Sequence, residues 1–106
     1  MRDIMGLMKK AQEMQAKMAE IQTELDATEV TGVSGGGAVS VTLSAKGDLK
    51  NIDLDESLLK PDEKDILQDL IVAAHADARR KAEAIAQEKM QAATAGLPLP
   101  PGMKLF

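Results

Sequence analysis

Cysteine, tryptophan and tyrosine are absent from this 106-residue chain, and Phe106 is its single aromatic residue. Without thiols there is no disulfide framework, no cysteine nucleophile and no cysteine zinc site, which fits a reducing cytoplasm. Without rings there are no platforms on which the bases of a single strand could stack. Histidine occurs once, as His75, so a zinc site would need only carboxylates beside it, and no grouping of serine, histidine and acid suggests a triad. The composition thus points away from an enzyme, a metal or cofactor site and a small-molecule substrate. No apolar run approaches the length of a membrane span, and the N-terminus lacks the apolar block of a signal peptide. A cytoplasmic protein without membrane attachment is expected.

Charge is plentiful but unevenly placed. The formal net charge of -4 predicts no general attraction to polyanions. Yet Met1 to Lys17 carries Arg2, Lys9, Lys10 and Lys17 against Asp3 and Glu13, and Arg79 to Gln91 carries Arg79, Arg80, Lys81 and Lys89 against Glu83 and Glu88. Asp48 to Asp69 is strongly acidic. An acidic middle lies between two locally basic segments.

The middle of the chain reads as sheet. Ala38 to Ala45 alternates Val39, Val41, Leu43 and Ala45 with Ser40, Thr42 and Ser44, the period of a strand with one buried face and one hydrated face. A β-leaning run from Thr28 to Val33 precedes it. Lys46-Gly47-Asp48 turns into Leu49 to Leu54, where Ile52 and Leu54 repeat the alternation. Short turns between neighbouring runs predict a three-stranded antiparallel meander.

Both flanks read as helix. Ile4, Leu7, Ala11, Met14, Met18, Ile21 and Leu25 recur at spacings of three and four, a heptad seam with one buried stripe. Met5 and Met8 beside it are adaptable core filling before they are a binding surface. Pro61 with Asp62 and Glu63 marks a second helix start, proline being tolerated in the first turn and carboxylates favoured at the positive end of the dipole. From there Ile66, Leu67, Leu70, Ile71, Ala74, Ala78, Ala82, Ile85 and Met90 lie on or beside one face to about Ala93. The sheet is expected between two long helices.

Several motifs resolve to structural readings. Gly35, Gly36 and Gly37 lead into a strand with no following Gly-Lys-Ser/Thr, so they make a hairpin turn and not a phosphate loop. Asp53, Asp55 and Ser57 resemble the start of a calcium loop, but Leu58 and Lys64 occupy its glycine and closing glutamate positions. His75 among alanines has a structural or surface role. Arg79-Arg80-Lys81 spreads over most of a helix circumference, so at least one cation must face away from the buried stripe. Residues 96–106, from Gly96 through Leu99-Pro100-Pro101-Gly102 to Phe106, end the helix as a tail to a single domain of residues 1–95; the tail is either disordered or laid extended along a hydrophobic groove, and its apolar side chains favour docking.

Length then argues for association. At 1.5 Å per residue the helices would span roughly 35 and 45 Å, while six- to eight-residue strands span about 20 to 27 Å. The sheet cannot cover both, so the remaining apolar stripes must meet each other or a second copy, and a two-fold homodimer with projecting helical arms is predicted. The fold class is α+β in the order α-β-β-β-α.

This order and its residues resemble the YbaB/EbfC family of bacterial nucleoid-associated proteins. The resemblance rests on Met8-Lys9-Lys10-Ala11-Gln12 with Met14-Gln15 and Met18, on Glu29-Val30-Thr31-Gly32 with Ser34-Gly35 and Gly37, and on Ile52-Asp53 and Leu58-Leu59. Asp62-Glu63-Lys64, Asp69-Leu70-Ile71-Val72-Ala73-Ala74, Asp77-Ala78 and the Leu99-Pro100-Pro101-Gly102-Met103-Lys104 tail continue it. What the resemblance implies is a homodimeric DNA-binding protein with tweezer-like helical arms, associated with the chromosome in the nucleoid and affecting its compaction and gene expression. Arg2, Lys9, Lys10, Lys17, Arg79, Arg80 and Lys81 are then the candidates for neutralising the phosphates of double-stranded DNA. The alternative is a protein-interaction adaptor that captures partners with its methionine-rich seam or proline-rich tail.

Overall fold

The computed structural model describes residues 2–94, and the predicted tail lies outside them. Helix α1 (Arg2–Ala27) leads into strands β1 (Glu29–Ser34), β2 (Val39–Ser44) and β3 (Leu49–Leu54), and helix α2 (Lys64–Thr94) follows two short 3-10 turns. The strands form one antiparallel sheet in the order β1-β2-β3. The predicted α-β-β-β-α order is therefore observed.

Each boundary has a local cause. The β-branched run from Thr28 favours strand over helix, and the Thr28 amide still donates to Leu25 O, closing α1. The β1–β2 connection is a 3-10 turn at Gly35–Gly37, where all three glycines have positive φ (60°, 68° and 97°), a region in which side chains are disfavoured. Asp55 accepts the Ser57 amide after β3, and Pro61 occupies the first position of the turn entering α2.

The core lies between α2 and one face of β1 and β2. Val30, Val39, Val41 and Leu43 from the sheet meet Ala74, Ala78 and Ala82, which recur every fourth residue on α2. Gly32, paired with Val41, lies directly beneath this alanine row. A Cβ there would overlap the Ala74 carbonyl oxygen and the Ala78 amide nitrogen. The missing side chain lets the helix backbone rest on the strand.

Three expectations are corrected by this arrangement. The heptad seam is not buried along its whole length: α1 runs antiparallel beside the distal half of α2, with Ile21 and Leu25 buried against Ala45 and flanked by Met18, Ile85, Ala86, Met90 and Ala93. Only the second half of the heptad seam is therefore covered, and residues 3–13 are exposed throughout. Ser44, expected to be hydrated, is fully buried because its hydroxyl accepts the Asp48 amide at 3.1 Å and holds the β2–β3 turn.

Strand β3 is the third correction. Its alternation half-buries Leu54 against the core but leaves Ile52 40% exposed, because α2 lies over β1 and β2. The β2–β3 register shifts at Thr42/Leu43, so that Leu43 faces Leu49 while Val41 faces Ile52. Leu49 and Ile52 are three residues apart, and strict alternation would put them on opposite faces. The extra residue of the bulge, Lys50, returns both to the side of α2.

Gly32→Ala is expected to be among the most destabilising single substitutions in the chain, on the order of 4 kcal/mol, because backbone and not a flexible side chain occupies the space. Urea unfolding followed by circular dichroism measures this; a loss below about 1 kcal/mol would show that α2 can shift away without penalty.

Candidate nucleic-acid interface

The α1/α2 pair forms an arm extending from the sheet in a molecule measuring 71 × 26 × 16 Å. Along it, Leu25 lies near Ala82 and Ala86, Glu24 pairs with Lys89, and Lys17 lines a groove with Ala92 and Ala93. Residues 3–13 continue along the exposed part of α1, about 16 Å of helix at 1.5 Å per residue. Lys9 and Lys10 stand on this exposed part, and Lys17 is exposed at its base. Lys10 and Lys17, seven residues apart, share one flank.

The structure separates the predicted cations into two groups. Among the described residues no ion pair joins Lys9, Lys10 or Lys17 to a carboxylate, whereas every member of the α2 triplet is paired. Arg79 Nε lies 3.1 Å from Glu83 Oε1, Arg80 Nη2 lies 3.4 Å from Asp77 Oδ1, and Lys81 Nζ lies 3.3 Å from Asp77 Oδ2. The side chain of Arg2 lies outside the described residues.

The triplet also diverges in space, as three consecutive helical residues must. Lys81 faces β1, where its Nζ donates to Thr31 O at 2.8 Å, and Asp77 Oδ2 accepts the Val33 amide at 3.1 Å. These two side chains of α2 satisfy outward backbone groups of an edge strand, a device that blocks pairing with another strand. Lys81 thus has a structural task. Arg79 lies on the opposite flank, toward the β2–β3 turn.

Asp77 titrates below the ordinary carboxylate value. The Val33 amide is the largest cause, followed by the Lys81 hydrogen bond, with partial desolvation opposing and the charges of Lys81 and Arg80 assisting. A carboxylate held low in the folded state stabilises it above the unfolded pKa, and that contribution disappears as pH falls through the folded value.

Lys89 and Lys46 are cationic side chains whose places in the fold no sequence pattern signals. Lys89, half-buried, joins α2 to α1 through Glu24 Oε2 at 3.2 Å, a pairing across 65 positions that no local pattern reveals. In the sequence Lys46 belongs only to a turn, yet it lines cavities with Arg79. The acidic stretch occupies β3, the 3-10 turns and the start of α2, toward the end of the sheet remote from the arm.

An apolar cavity of about 220 Å³ lies on the same flank as Arg79, lined by Val41, Leu49, Ile52, Ile71, Val72 and His75. Leu49 is 56% and Val72 69% exposed. These large apolar side chains form an exposed patch beside an uncovered strand. No helix among the described residues is long and apolar enough to cross a membrane.

The family model described as the YbaB/EbfC DNA-binding family matches residues 1–97. A nucleoid-associated protein of Methylocella silvestris is 62% identical over 105 residues, covering 99% of this chain and 98% of that protein. A nucleoid-associated protein of Agrobacterium fabrum is 60% identical over 105 residues, with the same coverage of both. Among solved structures, an uncharacterized protein from Helicobacter pylori superposes with a TM-score of 0.73 at 26% identity, covering 85% of this chain and 94% of that one.

For Asp77→Asn, the thermal midpoint should lie below that of the unaltered protein by a steady margin from about pH 8 to pH 5. The margin should shrink as pH falls through the lowered native pKa of Asp77 and vanish once the native carboxylate is protonated. A margin that persists unchanged in acid would mean that charge on Asp77 contributes nothing to the β1 edge.

Proposed function

This chain belongs to the YbaB/EbfC DNA-binding family, and from that membership we propose that it binds double-stranded DNA as a homodimer, through phosphate contacts from α1 arms. Chromosome organisation and effects on gene expression in the nucleoid follow from such binding. The observation that carries the reading is the set of lysines without an ion pair among the described residues, Lys9 and Lys10 on the least covered stretch of helix and Lys17 at its base. Charges without an intramolecular partner keep their full attraction for a polyanion and release its counterions on contact. Arg79 and Arg80 support the same role from exposed ion pairs, whose weak internal pairing a phosphate can replace.

The homodimer is supported by the cavity between β3 and α2. Its lining is self-complementary in chemistry, and the β1 side is closed by Asp77 and Lys81, so the β3 flank is the side left for a second copy. A two-fold contact there uses the same patch on both subunits. The adaptor reading has one observation in its favour: Ile4, Met5, Leu7 and Met8 are all exposed on α1. Duplex binding at low salt separates the two.

Reversal of Lys9, Lys10 and Lys17 to glutamate should weaken duplex binding by at least about 100-fold in gel shifts, with an unchanged circular dichroism spectrum. For the unaltered dimer, six phosphate contacts give a log-log salt slope of about -5. Retained binding by the reversed variant would remove α1 from the interface. Val72→Asp should convert the protein, by light scattering, from a dimer to a particle near the 11.3 kDa chain mass. A dimer that survives this substitution lies elsewhere.

A further inference from the structure

We infer that Lys46, in the β2–β3 turn, forms with Arg79 a second DNA-backbone phosphate site at the base of the arm, an inference that rests on the duplex-binding reading above. Lys46 and Arg79 line a cavity of about 310 Å³ with Leu43, Gly47 and His75. Both cationic side chains belong to exposed residues, so an incoming phosphodiester reaches them without any opening of the core.

The site is built, in that its turn is fixed from three directions. The Ser44 amide donates to Asp48 O at 2.8 Å and the Gly47 amide to Ser44 O at 2.8 Å. The buried Ser44 hydroxyl receives the Asp48 amide. The Ala45 amide donates to Leu25 O at 3.1 Å and Thr28 O at 2.8 Å, tying the turn to the end of α1. Lys46 is thereby held beside Arg79 by secondary structure, with only its own side chain left to adapt. Two cations without rigid placement would separate by repulsion; here the sheet and α2 keep them on one cavity.

The site also carries its own competitor. Glu83 holds Arg79 at 3.1 Å through an exposed pair, and it lines the adjoining cavity with Lys46 and Arg79. A phosphate entering between Lys46 and Arg79 displaces Glu83 from the guanidinium. The same flank continues through His75 into the apolar cavity of Leu49, Ile52 and Val72. His75 lines both cavities, so a dimer formed there brings this cationic site beside the subunit contact.

The substitutions move affinity in opposite directions, which a merely structural role would not do. Lys46→Gln should weaken binding of a short duplex by about 3- to 10-fold. It should also reduce the magnitude of the salt slope by about 2, one contact per subunit of a dimer. Glu83→Gln should tighten binding by about 3-fold, because Arg79 loses its internal partner. The imidazole resonances of His75, the chain's only histidine, report on the cavity directly: duplex should shift them in the unaltered protein and less so in Lys46→Gln.

An unchanged affinity and slope for Lys46→Gln would overturn the site while leaving the α1 interface intact. Saturation of the His75 shift by millimolar inorganic phosphate alone, with displacement of duplex, would assign the cavity to free anions instead. Failure of the unaltered protein to bind any duplex in dilute buffer would remove the underlying reading, and this site with it.

Discussion

The close approach of α2 to β1 over Gly32 sets the position of the other elements. Glycine inside a strand gives up conformational freedom and offers no side chain to pack. Here that loss is offset by contact with the alanine row Ala74, Ala78 and Ala82, which has no bulk to hold the helix away. With α2 seated over β1 and β2, Asp77 and Lys81 come within reach of the β1 edge and the Ser34 hydroxyl donates to Leu70 O at 2.5 Å. The same seating leaves β3 uncovered. One missing Cβ thereby decides which edge is closed and which face stays open.

A helix fixed in this way carries the chain far beyond the sheet it covers. The distal half of α2 offers its own apolar stripe to α1, and the two run together until α1 continues uncovered. Lys89 and Glu24 join the helices across the seam. Basic side chains then divide by geometry. Arg79, Arg80, Lys81 and Lys89 of α2 find carboxylates, and among the described residues Lys9, Lys10 and Lys17 of α1 do not. A residue's placement in the fold, more than its identity as lysine or arginine, determines how much of its charge is available to a partner.

The overall charge of -4 conceals this division. Carboxylates gather on β3, the 3-10 turns and the first turn of α2, where the helix dipole favours them. The lysines of α1 lie at the other end of an elongated molecule. For a member of a DNA-binding family, that separation means a polyanion is drawn to one end and repelled from the other, with screening beyond about 10 Å at 0.1 M salt. A net charge averages over the feature that matters.

Periodicity in the sequence was sufficient for the element order, the strand pairing and the buried face of β2, because these depend on neighbours a few residues away. Val39, Val41, Leu43 and the seam from Met14 to Leu25 carry their burial in their spacing. The family could be read as well, since an ordered set of residues survives without any knowledge of their contacts. Ile52 and Ser44 could not be read, because exposure on β3 depends on where α2 lies and burial of Ser44 on a hydroxyl bond within a turn. Nor could the difference between Lys81, spent on Thr31 O, and Lys9, left free. Such outcomes depend on which carboxylates and carbonyls arrive within about 3 Å from distant parts of the chain, and only the tertiary structure brings them there.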